Sequence, residues 1–321
     1  MPEITSITQM PGILAGHATN AEAGTGCTVI ICPAGATGAV DVRGGAPATR
    51  ETDLLRPEET VQELHAVVLS GGSAFGLAAS TGVAEELERR DIGFDVGVAK
   101  VPIVSGACLF DLMCGRADVR PDAPMGIAAV RDAFDHAGEP LARGNVGAGT
   151  GCTVGKVAGP ARAMKAGLGE AVRQVGDLVV GAVVAVNAVG NVVDPDTGSF
   201  VAGTLDAEGT RVISFEEALA EATSAMPLRT NTTISGVVTN ARLDKAQATK
   251  VAQMSADAYA HAIRPTHTTN DGDSIFVMAT GEVQAEVDVV GVLATAALER
   301  AIVDAARHAE GAYGLKAARD L

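Results

Sequence analysis

Residues 179–187 read Val-Val-Gly-Ala-Val-Val-Ala-Val-Asn, a strand-length run of small apolar residues broken only at its end. A strand without polar alternation has no face for water, so further layers must cover it on both sides. The rest of the core has to use similar material. Hydrophobic residues make up 47% of the chain but aromatics only 3%, with no Trp and 38 Gly. Ala, Val, Leu and Ile must therefore pack against glycines, which suits helices and sheets that approach closely. The 321 residues could make two average domains or one large layered one; a single domain spanning 1–321 is expected.

Other segments fill in the layers. Short strands are expected at 28–32 and 39–43, separated by a turn at Pro33-Ala34-Gly35, and at 66–69, leading through Ser70-Gly71-Gly72-Ser73 into a helix over 74–89. Residues 101–112 are apolar and ambiguous, and Pro121-Asp122-Ala123-Pro124 opens a helix through His136. A strand at 170–175 precedes the one at 179–187. Residues 190–230 read as a linker or processing loop with one short helix near 215–225. Asp244 and Gln247 form a capping pair for a helix reaching Ile263, stopped by Arg264-Pro265. A strand at 274–279 and a helix over 287–308 complete the chain. Strands and helices come in runs, which favours an α+β fold with helices on mainly antiparallel sheets.

Composition excludes several functions. With 24 Lys and Arg against 39 Asp and Glu the net charge is −15, and no basic run interrupts it. This argues against nucleic acid and anionic membranes as partners. The five cysteines, Cys27, Cys32, Cys108, Cys114 and Cys152, lack zinc-ligand clustering and read as buried free thiols. There is no signal-peptide pattern at the start and no spanning stretch, so a cytoplasmic location is expected. Neither a cofactor nor a metal is expected. Ser73 fails as a nucleophile elbow because Phe75 stands where glycine is needed. The glycine-dense 144–159 segment fails as a phosphate loop, with Thr150 and Val157 out of pattern, and as a dinucleotide loop at Cys152.

The chemistry centres on Thr230-Asn231-Thr232-Thr233-Ile234-Ser235-Gly236, where hydroxyls sit at the mouth of a buried strand over 234–238. Such a Thr can attack the preceding carbonyl and, once the bond is opened, head a new chain with nucleophile and amine base together. Asp271 and Asp273 flank a glycine at another strand entry and could face one spot, sharing protons. Lys156 and Asn187 could donate to an oxyanion. Taken singly, each has a plain alternative: a Thr-rich turn, a solvated Asp-Gly turn, a surface lysine, a strand-end cap.

Six motifs together resolve these alternatives: Asp41-Val42-Arg43-Gly44-Gly45-Ala46-Pro47, Leu69-Ser70-Gly71-Gly72-Ser73-Ala74-Phe75-Gly76-Leu77, Gly147-Ala148-Gly149-Thr150-Gly151, Val186-Asn187-Ala188-Val189-Gly190, Asn231-Thr232-Thr233-Ile234 and Asp271-Gly272-Asp273. Over nearly its full length the chain resembles the self-processing β-peptidyl aminopeptidases, a family including the L-aminopeptidase/D-amino-acid esterase and the 6-aminohexanoate-oligomer (nylon oligomer) endo-hydrolases. The resemblance implies a four-layer αββα sandwich of the N-terminal-nucleophile hydrolase type. It also implies self-cleavage between Asn231 and Thr232 into chains 1–231 and 232–321, and a homotetramer of such pairs. Thr232 matches the nucleophile, Asp271 and Asp273 its acidic partners, and Lys156 and Asn187 the remaining polar site residues. The aminopeptidases are expected to carry Ser as nucleophile, with Ser and Glu at the two acidic positions. Thr and Asp-x-Asp therefore look more like the nylon-oligomer branch, so the expected substrates are aminopeptidase-type or aminohexanoate-oligomer-type amides. Acyl transfer to an amine, as in the ornithine acetyltransferases that this architecture also resembles, and an uncut binding or scaffold protein are the alternatives.

Overall fold

The computed structural model describes residues 3–222 and 231–321. Among the described residues nine strands form one hydrogen-bonded sheet: β1 (Leu14–Asn20), β2 (Thr25–Val42), β3 (Thr49–Arg50), β4 (Glu63–Ser70), β5 (Val104–Cys108), β6 (Leu168–Val175), β7 (Leu178–Asn187), β8 (Thr232–Ala241) and β9 (Ser274–Val283). Their order is β6-β7-β8-β9-β2-β4-β5-β3, with β1 also on β2. Only β8 with β9 and β4 with β5 run parallel.

The 18-residue β2 turns this path into two layers. Its first part, through Ile31, pairs with β1 and β4, while its last part, from Thr37, pairs with β9. The expected turn at Pro33-Ala34-Gly35 is instead a bulge in one continuous strand, marked by a register shift against β4 between Ile31 and Ala36. Pro33 has no N–H to give to a ladder, so the interruption falls where the strand exchanges partners. The layers then stack very closely. A Cβ added to Gly236 in β8 would lie 2.6 Å from Cδ1 of Ile30 in β2, so a larger residue there requires the Ile30 side chain to move.

Helices cover both outer faces, as the expected αββα sandwich requires. Helices α1 (Ala79–Arg89) and α2 (Ala123–Asp135) bury Val83, Leu87, Ala129 and Val130 against Val29, Ile31 and Val68. On the opposite face lie α4 (Lys245–Ser255), α5 (Asp257–Ala262) and α6 (Val287–His308), whereas α3 (Phe215–Glu221) stands apart with Val189 and Ile213. The Val-rich strand is buried at every residue of β7, and α6 has the expected bounds. Asp244 caps α4 by accepting from Gln247 N at 2.8 Å, but the helix expected to reach Ile263 divides into α4 and α5. Its final residue starts a short strand, Ile263–Arg264, which pairs with Asn191–Val193. The described part of 190–230 is accordingly less loop-like than its composition suggests. The expected end of its helix at 223–225, and Thr230, lie outside the described residues. All five cysteines are free and buried. Among the described residues no helix is long and apolar enough to cross a membrane.

Candidate active site

The strand order explains why residues so far apart in sequence meet. β8 is central, flanked by β7 and β9, so the end of β7, the start of β8 and the loop entering β9 share one edge of the sheet. Asn187 pairs directly with Thr232, and Asn231 forms a parallel bridge to Asp271. Strand alternation puts Thr232 on the face shared with Gly236, between the sheets, and Thr233 on the helix face with Ser235.

Thr232 is buried, and its hydroxyl donates to the carbonyl oxygen of Asn231, the group that precedes it. The same carbonyl accepts from the backbone N–H of Gly272 at 3.1 Å. The approach is close, since a Cβ at Gly272 would stand 2.8 Å from Thr232 Oγ1 and would have to displace that hydroxyl.

The acid pair is no solvated turn: Asp271 and Asp273 are each 2% exposed. Their environments differ. Asp273 accepts at Oδ1 from Thr233 N (2.7 Å) and at Oδ2 from Thr266 Oγ1 (3.2 Å), His267 N (3.1 Å) and His267 Nδ1 (2.9 Å). Asp271 accepts at Oδ2 from Thr268 N at 2.6 Å, and its enclosed Oδ1 has no hydrogen-bond partner among the described residues. Burial, and then the charge of Asp273, push the Asp271 carboxyl up to about 6. A donor favours the charged form of Asp271, but burial and the neighbouring charge oppose it, so this carboxyl keeps its proton to a higher pH than an ordinary Asp.

Lys156 is not the surface lysine that its plain alternative would make it. Its ammonium donates to Asn187 Oδ1 at 2.7 Å and Asn187 O at 3.0 Å, and burial pulls it down to about 8. Asn187 Oδ1 also accepts from Thr153 N (3.1 Å) and Thr153 Oγ1 (3.3 Å), and its Nδ2 donates to Phe110 O at 2.8 Å. The amide of Asn187 is thus held at both its oxygen and its nitrogen. Lys156 lies on the wall of a cleft of about 420 Å³, together with Phe110, Asp111, Met113, Thr153 and Tyr313. Asp111 is buried there, its carboxyl raised by desolvation, and accepts from Thr25 Oγ1 (2.6 Å) and Gly72 N (2.7 Å).

All six residues singled out in the sequence, Lys156, Asn187, Asn231, Thr232, Asp271 and Asp273, therefore meet at one sheet edge. Sequence reasoning missed Gly272 N–H, Asp111, His267 and Tyr259. His267 lies only four residues before Asp271 in sequence, whereas long-range packing alone recruits Tyr259 and Asp111.

A hydroxyl residue heading a central strand of an αββα sandwich, beside a buried acid pair and a cleft, defines an amide hydrolase of the N-terminal-nucleophile fold class. The chain belongs to peptidase family S58, whose family model matches residues 5–319. It is 40% identical to an uncharacterized aminopeptidase of Mycobacterium leprae, over 97% of this chain and 92% of that protein. It is 37% identical to the 6-aminohexanoate-oligomer endohydrolase of Paenarthrobacter ureafaciens, over 85% of this chain and 74% of that one. Its fold is similar to that of an L-aminopeptidase D-Ala-esterase/amidase from Ochrobactrum anthropi, described as a variant of the Ntn hydrolase fold. The TM-score is 0.69 at 18% identity, covering 97% of this chain and 89% of the other.

Proposed function

We propose that the chain cuts itself between Asn231 and Thr232 and that Thr232 then hydrolyses amide bonds through an acyl-enzyme. The observation that carries this reading is the Thr232 hydroxyl lying on the Asn231 carbonyl while Gly272 N–H donates to the same oxygen. Attack of Thr232 Oγ on the carbonyl carbon breaks the peptide C–N bond and leaves an ester. Water opens the ester, giving a chain that ends at Asn231 and a chain that begins with Thr232. The freed amine takes the Thr232 hydroxyl proton, the oxygen attacks a substrate amide, and the departing amine receives the proton. A second water releases the acid product.

In this scheme Asp273 orients the segment bearing the nucleophile through Thr233 N, and Asp271 holds or passes a proton beside it. Lys156 and Asn187 stabilise the tetrahedral intermediate from the cleft side, with the commitment of Asn187 Nδ2 to Phe110 O fixing the direction of its amide. The names of the relatives support a choice between aminopeptidase-type substrates and aminohexanoate oligomers, and Thr with Asp-x-Asp favours the latter. A cytoplasmic homotetramer of cleaved pairs belongs to the same proposal.

Intact-mass measurement and N-terminal sequencing of the purified protein test the first step. The expected result is two polypeptides, 1–231 and 232–321, the smaller beginning Thr-Thr-Ile-Ser. A single active chain would remove the proposal. A panel of a β-alanyl amide, an L-α-amino-acid amide and an aminohexanoate oligomer, each with and without an amino-acid acceptor, identifies the acyl group and separates hydrolysis from acyl transfer.

A further inference from the structure

His267 takes no part in the bond-breaking steps above, yet it is held in an unfavourable way. Its φ is 55°, a left-handed conformation that a residue other than glycine keeps only where its surroundings over-determine it. Its Nε2 is enclosed without a hydrogen-bond partner among the described residues, whereas buried polar atoms are normally paired.

The hydrogen bonds indicate what this arrangement accomplishes. Both the backbone N–H of His267 and its Nδ1–H donate to Oδ2 of Asp273, at 3.1 and 2.9 Å. The carboxylate is thereby turned so that Oδ1 receives Thr233 N at 2.7 Å. The imidazole stacks on Tyr259, with centroids 5.4 Å apart and ring planes 21° from parallel. The Tyr259 hydroxyl lies 3.2 Å from Thr233 O and 3.0 Å from Ser235 Oγ. One connected group thus grips Thr233 at both its N–H and its C=O, immediately after the residue proposed as nucleophile.

We propose that His267, backed by Tyr259, is a positioning residue that sets the Asp273 carboxylate and through it the Thr232–Thr233 peptide. It rests on the reading that Thr232 is the nucleophile and Asp273 orients it. Removing the Nδ1 donor leaves Oδ2 of Asp273 with only its two longer bonds, from Thr266 Oγ1 at 3.2 Å and His267 N at 3.1 Å, so the carboxylate is held less firmly and the Thr232 hydroxyl and amine lose alignment with the bond they attack.

The test uses the full-length chain with His267→Phe, His267→Asn, Asp273→Asn and the His267→Phe/Asp273→Asn double variant. Phe keeps the ring on Tyr259 but has no donor. Asn puts an amide donor close to the Nδ1 position and tolerates left-handed backbone. Self-cleavage rate, kcat and KM per cleaved chain, and melting temperature are measured for each. Phe is expected to lower kcat about 10-fold or more, as for a lost hydrogen bond to a charged group, with KM little changed. Asn is expected to restore most of the rate, and Phe to add little in the Asp273→Asn background. Wild-type turnover in His267→Phe beside an impaired Asp273→Asn overturns this proposal alone, as does a full additional loss in the double variant or an Asn variant no better than Phe. A normal Asp273→Asn overturns the underlying reading and this proposal with it. Should the Phe chain fail to fold, His267→Gln, whose amide lies one bond too far out, replaces it with the same outcomes.

Discussion

The backbone N–H of Gly272 donates to the carbonyl oxygen of Asn231 at 3.1 Å, the same oxygen that receives the Thr232 hydroxyl. A backbone donor fixed on a carbonyl before reaction is the arrangement that stabilises an oxyanion when that carbonyl is attacked. Gly272→Ala keeps the N–H but brings a methyl group 2.8 Å from Thr232 Oγ1 and 3.1 Å from Ala46 O. The hydroxyl has to move, and a displacement of this kind is expected to slow chain cutting by about 10²-fold. A time course by intact mass checks this, with the melting temperature reporting whether the fold survives.

Neighbouring hydroxyls should behave differently. Thr232→Ala is expected to abolish both cutting and amide hydrolysis, and Thr232→Ser to keep both. Thr233 Oγ1 is enclosed and has no partner among the described residues, and only the backbone groups of Thr233 are gripped. Thr233→Ala should therefore still be cut and remain active to within a few-fold. Normal hydrolysis by uncut Thr232→Ala protein would sink the mechanism.

Local features were legible in the sequence where local chemistry decides them. The Val and Ala run of β7 and the bounds of α6 need only the burial pattern, and the start of α4 only the Asp244 cap. That Thr232, Asp271, Asp273, Lys156 and Asn187 lie together was legible only from six motifs read as a set, since each residue taken singly had a plain alternative. What could not be read depends on partners remote in sequence. Pro33-Ala34-Gly35 has turn composition, yet β2 passes through it because β9 takes over where β1 leaves off. Likewise, nothing near Tyr259 announces that its hydroxyl reaches Thr233 O and Ser235 Oγ on another element.

Glu170 makes a stability prediction away from the chemistry. It is buried, accepts from Ser6 Oγ (2.8 Å) and Ile7 N (2.6 Å), and is pushed up to about 7 chiefly by burial. A native value above the ordinary 4.5 means that the folded chain holds this proton longer than the unfolded one. Its contribution to stability is therefore full below about pH 4.5, falls as pH rises toward about 7 and stays reduced above that. Glu170→Gln removes the ionisation while keeping an acceptor for both donors. It should match wild type near pH 4 and be more stable at pH 8 by about 2 kcal/mol, as measured by denaturant titration at the two pH values.

Asp271 and Asp273 should titrate as a unit. Asp271 is pushed up to about 6 by burial and then by its neighbour's charge, so it holds a proton below that pH and releases it above. If the ionised carboxylate is the working form, turnover per cleaved chain rises with pH through a limb near 6. That limb should vanish in Asp271→Asn. In Asp273→Asn it should move to lower pH, because taking away a like charge makes the remaining carboxyl easier to ionise. Each single change is expected to lower turnover by about 10² or more, and the double change by much less than the product of the two, since the groups act on shared protons. The rates are taken per cleaved chain so that failed cutting is not counted as failed catalysis. Two single variants that are cut normally and hydrolyse amide within a few-fold of wild type, with the acid limb still at its original pH, would reduce the Asp-Gly-Asp segment to a structural turn.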